Sequence, residues 1–297
     1  MVSALVCTRN RPDSLVQTVR SLLADGAEEL ELIVVDQSDA DDTERSLVTF
    51  SADSRLRYVR SQARGKGAAL NEGLRLARGA IVVCTDDDCE APSHWVTDMA
   101  RALEAQPSAA ILFCNVIPGP HDICSGYIPA YRRDSDRLLR FIADVRHGIG
   151  LGAGMALRRQ AVLSLGGFDE TFGPGSRFVS GDDWDISVRA LLGGWHVYDT
   201  AHVSIIHHGF RTLAEGRNHA LRDWIAIGAL CAKPIRAGHF SALIPALWFF
   251  FGQAIWPPLR DLLRLRRPSG RSRIVGFIRG FAKGFSTPVD RKTLRFT

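Results

Sequence analysis

The chain has 297 residues, 46% of them hydrophobic, and a formal net charge of +5; that composition excludes a disordered chain and suits one large domain, or a domain with an appendage. Six cysteines (Cys7, Cys84, Cys89, Cys114, Cys124, Cys231) stand without CxxC pairs or Cys/His ligand spacing, which argues against a disulfide framework and a zinc site. Charge is uneven: Asp36, Asp39, Asp41, Asp42, Glu44 and Asp53 face only Arg45 in one stretch, whereas the chain from Arg260 onward is strongly basic.

Ser3 to Cys7 reads as a buried strand, and the N-terminal apolar run Val2 to Cys7 is too short and too soon followed by Arg9 and Arg11 to be a secretory signal, so a reducing cytoplasmic setting is expected. Pro12-Asp13 opens a helix whose Leu15, Val19 and Leu22 recur at helical spacing. The pattern repeats: Leu30 to Val35 is a second strand ending in Asp36, Leu56 to Val59 a third, Gly67 to Ala77 a helix, and Ala80 to Cys84 the next strand. This alternation predicts an α/β fold with a parallel sheet covered by helices. In such sheets ligands bind beyond the carboxyl ends of the strands, where Thr8, Asp36 and the triplet Asp86-Asp87-Asp88 fall.

The triplet is the most informative stretch. Ionised carboxylates at the end of a buried strand repel one another and cost desolvation energy unless a cation compensates them. Mg²⁺ or a similar hard ion would do so, together with the phosphates of a substrate; the simpler alternative is a solvated acidic turn. Gly65-Lys66-Gly67, ahead of a helix, is either a phosphate cradle or an ordinary loop with an exposed lysine, and it lacks both the dinucleotide fingerprint and the Walker spacing.

Past Ala109 to Cys114 the regularity fades into a stretch, Pro118 to Gly154, read as acceptor-side loops with a helix near Arg137 to Val145. Gly166-Gly167-Phe168-Asp169-Glu170 follows, and then Gly181-Asp182-Asp183-Trp184-Asp185 at the start of a helix. Asp182 or Asp183 would cap that helix and Asp185 would pair with Arg189 four residues on; one carboxylate remains as a candidate general base. Phe240 to Leu259 carries no charge and holds Trp248, Phe249, Phe250, Phe251 and Trp256, but Pro245, Pro257 and Pro258 interrupt it, so it is borderline for a membrane span. Beside a basic tail it suits a membrane surface better than nucleic acid, with the buried helix as the alternative.

Together these motifs resemble the inverting glycosyltransferases of family 2, which have the GT-A nucleotide-diphospho-sugar transferase fold. The resemblance rests on Thr8-Arg9-Asn10-Arg11-Pro12, Val34-Val35-Asp36, Gly65 to Asn71 with Gly73, the DxD-like Asp86-Asp87-Asp88, Gly167 to Glu170, and Asp182 to Asp185 followed by Arg189. It implies a Rossmann-like, mostly parallel sheet in a catalytic domain over 1–238, with a nucleotide-sugar half (1–115) and an acceptor half (116–238), followed by a membrane-associating helical extension, 239–297. It further implies Asp183 as catalytic base and Thr8, Arg9, Asp36, Lys66, Asn71, Asp86 and Asp87 on the donor, with Asp36 toward the nucleobase. Asp88 and His207 would hold Mg²⁺ or Mn²⁺, His207 otherwise being a satisfied strand-end histidine; Asp182 and Trp184 would lie on the acceptor side. Two positions depart from the family pattern: Leu70 stands where an arginine is frequent, and Asp182 replaces the usual glutamate.

The expected reaction is sugar transfer from a nucleoside-diphosphate donor to a glycan or lipid-linked acceptor, at the inner face of the membrane and without a nucleic-acid partner. No QxxRW motif of the processive synthases is present, so a single addition is expected. The rivals are a sugar-phosphate nucleotidyltransferase, which should carry a glycine-rich, arginine-containing loop after the first strand, and a non-catalytic membrane- or nucleotide-binding module.

Overall fold

The computed structural model describes residues 1–27, 29–268 and 270–297. Its first half follows the apolar pattern of the sequence: β1 (Val2–Thr8), α1 (Pro12–Leu23), β2 (Leu30–Asp36), the short α2 (Asp42–Ser46), β3 (Leu56–Arg60), α3 (Lys66–Leu76) and β4 (Ile81–Asp86). Successive strand residues face opposite sides, so Leu5, Ile33, Val35 and Val82 join one core cluster while Ala4, Val6, Val34 and Val83 join the other. Strands β1, β2, β3 and β4 pair in parallel, and their register sets Thr8 opposite Asp36 and Cys7 opposite Asp86.

The second half is mixed. After β5 (Cys89–Glu90), α4 (Trp95–Glu104), β6 (Ala109–Pro118), β7 (Gly126–Tyr127) and β8 (Arg137–Leu139), strand β9 (Met155–Arg158) inserts antiparallel between β4 and β6. Helices α5 (Arg159–Ser164) and α6 (Asp182–Leu192) precede β10 (His196–His207), which runs parallel to β6. Among the described residues this makes a nine-stranded sheet of order β3-β2-β1-β4-β9-β6-β10-β5, with β8 beside β10. The helix expected near Arg137 to Val145 is instead β8 followed by a 3₁₀ turn, Ile142–His147. Buried Asp199 on β10 explains the difference: it takes the Arg137 guanidinium at 2.9 Å and draws the segment into the sheet.

Strand β11 (Arg211–Thr212) leads into the long α7 (Leu213–Arg236), whose start is closed by a Thr212–Glu215 capping box. The apolar segment then runs as α8 (Leu243–Leu247), a π-helical stretch (Trp248–Ile255) and α9 (Trp256–Leu263), and α10 (Arg271–Ser286) returns to pack along α7. Phe240–Leu263 is long and apolar enough to cross a membrane, with mean hydropathy 1.3 and 33% of its most apolar window buried. Gly280 lets α10 approach closely, since a Cβ there would lie 1.9 Å from the Ile225 carbonyl oxygen. After α10 the chain folds back, and Phe296 stacks on Phe172 at 5.7 Å.

Candidate active site

The three carboxylates after β4 diverge to different partners. Asp86 pairs with Lys66 at the start of α3. Asp87 is buried, accepting from Thr8 Oγ1 at 2.6 Å and from Arg11 Nη1 at 3.0 Å. Asp88 takes the same Arg11 nitrogen at 2.9 Å, and its Oδ1 lies 3.2 Å from His207 Nε2. Burial pushes the Asp87 carboxyl up; at Asp88 burial acts the same way, but His207 and Arg11 outweigh it and hold that carboxyl below its ordinary value.

His207 comes to Asp88 through strand pairing, because β10 lies antiparallel to β5 with His207 opposite Cys89. Its Nδ1 faces the Pro129 carbonyl at 3.0 Å, and a carbonyl only accepts, so Nδ1 carries the proton. Burial acts to lower the His207 pKa, but Asp88 overcomes it and raises that pKa, so Nε2 favours a proton toward the carboxylate; a bound cation would take that proton's place, with Nδ1 held by its outer partner as in a metal-ligating histidine. Asp88 Oδ1 is buried without a hydrogen-bond partner, the His207 contact being an ion-pair distance with poor hydrogen-bond alignment. A Cβ on Gly209 would lie 2.7 Å from both Asp88 Oδ2 and His207 Nε2, so the chain leaves a cradle there. These features fit a small divalent cation on Asp88 and His207. The neighbouring Cys89 thiol is no natural ligand for a hard ion, since burial raises its pKa and keeps it protonated.

Among the residues expected to face the nucleotide, Arg9 reaches Asp39 at 3.2 Å, and Asp39 also takes Asn10 Nδ2 and Arg64 Nη2, each at 2.9 Å. Asp36 has no exposed surface; its oxygens accept from Tyr58 Oη at 2.8 Å and Ser38 N at 2.7 Å. Both of its carboxylate oxygens are thus engaged inside the fold. Asn71, expected on the donor, makes its contacts inside the fold: its Nδ2 donates to Phe168 O at 3.0 Å and Glu170 Oε1 at 2.9 Å, and its Oδ1 accepts from Phe168 N at 2.7 Å. Both amide hydrogens are spent on the Gly167–Glu170 loop. The Gly65-Lys66-Gly67 turn is likewise covered, with Lys66 N donating to Pro174 O at 3.0 Å, while its side chain points to the acidic residues.

Asp182 and Asp183 open α6, where the helix N-terminus favours negative charge. Asp183 Oδ2 accepts from Gly152 N at 2.9 Å and Oδ1 from Trp184 N at 2.8 Å, which orients the carboxylate and leaves each oxygen a free lone pair. Burial and the neighbouring Asp182 push its pKa up to about 7, against the pull of Lys66. Burial alone would lower the Lys66 pKa, but Asp86 and Asp182 overcome it and raise that pKa well above its ordinary value. Lys66 thus stands between the acidic strand end and the acidic helix start. Trp184, read as an acceptor-side residue, turns its partly buried ring edge-on to Phe249 of the apolar segment at 5.0 Å and joins two halves of the fold.

Behind the site lies an ionic cluster that the sequence signalled only at Asp185 and Arg189. Arg189 Nε donates to Asp185 Oδ2 at 2.8 Å, and Lys233 of α7 pairs with Asp185 and, at 2.7 Å, with Asp169. Asp169 Oδ2 also accepts from Phe296 N at 2.8 Å, and Arg295 donates to Gly166 O at 2.7 Å. Two carboxylates face two cations, so the cluster is neutral as a whole. Arg11 and Lys233 are the residues that sequence reasoning did not place; the first follows a strand end, and the second is a lone lysine closing the apolar run Ile225 to Ala232.

Residues 3–163 match the family description "Glycosyl transferase family 2". The chain is 25% identical over 197 residues to the glucosyl-dolichyl phosphate glucuronosyltransferase of Haloferax volcanii, covering 63% of this chain and 62% of that relative. It is 30% identical over 98 residues to the Escherichia coli UDP-Glc:alpha-D-GlcNAc-diphosphoundecaprenol beta-1,3-glucosyltransferase WfaP, covering 33% of this chain and 37% of that one. The chain thus spans less than two thirds of these relatives' lengths. Among solved structures, the mannosyltransferase PcManGT of Pyrobaculum calidifontis, in complex with GDP-Man and Mn²⁺, superposes with TM-score 0.62 over 96% of this chain and 87% of its own at 19% identity. S. aureus TarS 1-349 does so with TM-score 0.63 over 94% of this chain and 80% of its own at 14% identity. The fold is therefore of the GT-A type, and with more than half of its length matched, the chain belongs to glycosyl transferase family 2.

Proposed function

We propose that this chain is a metal-dependent, inverting glycosyltransferase that moves a sugar from a nucleoside-diphosphate donor to a hydroxyl of a lipid-linked or glycan acceptor at a membrane surface. One observation carries the reading: a buried carboxylate, Asp183, is oriented by two backbone N–H groups and poised near neutrality, one lysine away from the acidic strand end. The acceptor hydroxyl gives its proton to Asp183 as its oxygen bonds to the anomeric carbon. The bond from that carbon to the diphosphate oxygen breaks, its electron pair leaves with the nucleoside diphosphate, and a single displacement inverts the centre. Base catalysis of this kind contributes ~10²–10⁴ in rate.

Asp88 and His207 would hold the cation, which offsets the charge that develops on the departing diphosphate. Arg11 and Lys66 supply fixed positive charge beside the same strand end, and Thr8 keeps Asp87 in place. Support for a lipid-linked acceptor comes from the relatives above, whose names specify dolichyl phosphate and diphosphoundecaprenol. The exposed apolar segment with its basic neighbours supports a membrane surface, and six free cysteines agree with its reducing, cytoplasmic side.

The test is release of nucleoside diphosphate from a panel of nucleotide sugars. Turnover is expected to vanish in EDTA and to fall ~10²–10⁴-fold in Asp183→Asn with donor affinity kept. Near-wild-type turnover in that variant moves the base elsewhere.

A further inference from the structure

The apolar segment does not lie flat against the domain. Its inner face carries Ala246, Phe249 and Ala254, all buried, and meets the domain through the Trp184–Phe249 contact. The outer face leaves Ile244, Leu247, Trp248, Phe251 and Trp256 between 43% and 55% exposed, at the spacing of one helix side. Together with Arg146 from the 3₁₀ turn Ile142–His147, these residues line a groove of about 540 Å³. Arg146 is the one charged residue among those lining it, and its side chain is exposed.

The groove is tied to the site on two sides. Trp184, which packs behind it, follows Asp183 directly, and its backbone N–H holds that carboxylate. Arg146 precedes Gly152, the other N–H on Asp183, by six residues, so no more than about 20 Å of extended chain separates them. An occupant with an apolar tail in the groove and an anion at Arg146 would therefore have its polar end on the same segment that supplies the Gly152 N–H to the base.

We infer that this groove binds the isoprenoid chain of a polyprenyl-diphosphate-linked sugar, with Arg146 on the diphosphate and the sugar hydroxyl directed to Asp183. The inference rests on the transferase reading and narrows its acceptor. A bare lipid phosphate fits less well, because a phosphate oxygen is already ionised near neutral pH and needs no general base. A bilayer surface also fits less well, because it would call on several cations across a convex face; those stand beyond the groove, at Arg260, Arg264, Arg266 and Arg267.

The test titrates the full chain without nucleotide sugar, followed by tryptophan fluorescence, with a long-chain polyprenyl diphosphate, the matching neutral polyprenol and inorganic diphosphate in neutral detergent, and with phosphatidylglycerol vesicles in detergent-free buffer. Polyprenyl diphosphate is expected to bind most tightly. Arg146→Ala should weaken it about tenfold while leaving polyprenol unchanged, a loss of ~1.4 kcal/mol, and Leu247→Gln should weaken both lipids. Unchanged polyprenyl diphosphate affinity in Arg146→Ala, or vesicle binding that Arg146→Ala weakens as much as it weakens polyprenyl diphosphate, overturns the inference. Because no donor is present, failure here is separate from failure of the transferase reading, which the nucleoside diphosphate release assay reports.

Discussion

Ionising Asp183 is costly inside this fold, because the carboxylate is buried beside Asp182 and only Lys66 and two N–H groups favour the charge. With a pKa of about 7, it is mostly protonated in weak acid and a base above neutrality. The pH profile of kcat/KM should therefore rise through about 7 to a plateau. Stability runs the other way: the folded chain holds a proton that the unfolded chain has already lost, so this residue's contribution declines as pH rises from the ordinary carboxylate range through about 7. Asparagine accepts only one of the two N–H groups, an offset that does not change with pH, so the melting point of Asp183→Asn relative to the wild type should rise between pH ~5 and pH ~8 while turnover is lost. A difference that stays flat across that range would mean that the carboxylate is ionised at no cost.

The cation cradle makes a second prediction at this scale. Gly209→Ala places a methyl group where Asp88 Oδ2 and His207 Nε2 converge, so Mn²⁺ affinity measured by calorimetry should fall ~10–100-fold. Asp88 and His207 are not the ligands if the alanine variant binds the ion as the wild type does.

At the scale of elements, α6 is positioned from behind by the ionic cluster and from its flank by the apolar segment. Lys233 links α7 to both Asp169, in the loop that Asn71 clasps, and Asp185, one turn inside α6. Its side chain is 3% exposed, so Lys233→Met would leave two buried carboxylates with one cation between them. Removing one partner of a buried ion pair costs about 3–5 kcal/mol; denaturant unfolding of this variant should show a loss of that order. An unchanged midpoint would show that solvent compensates these charges. The docking of Phe296 on the same cluster explains why the tail belongs to the packed body: its ring lies 5.1 Å from the Lys233 ammonium.

For the whole molecule, one face gathers exposed Leu262, Leu263 and Leu265 next to arginines 260, 264, 266 and 267. Each arginine near an anionic surface adds attraction of about 1 kcal/mol. Full-length protein should co-sediment with anionic liposomes at low salt and release at high salt, and Leu262→Ser with Leu263→Ser, which lie outside the groove, should weaken this. Protein remaining in the supernatant at low salt would leave the segment as a packing element alone. Deleting everything after Gly238 would be a poor probe, since it also removes α10 from α7 and Phe296 from Asp169.

Much of the candidate site's layout was legible in the residue order, for a local reason. Continuous apolar runs ending in Thr8, Asp36 and Asp86 predict parallel strands whose ends meet, and the register bears that out. The acidic start of α6 is equally local, because capping and helix charge act within one turn. What tertiary structure alone decided is which partner each polar group takes. His207 reaches Asp88 through a strand pair joining residues 118 positions apart, Asn71 spends its amide on a loop 97 residues away, and Lys233 finds Asp169 across a gap of 64. Arg137 left its expected helix for β8 because Asp199, 62 residues on, needed a cation. A single chain read in order records each residue's chemistry; the energy that selects its partner comes from burial, and burial exists only once distant segments have packed.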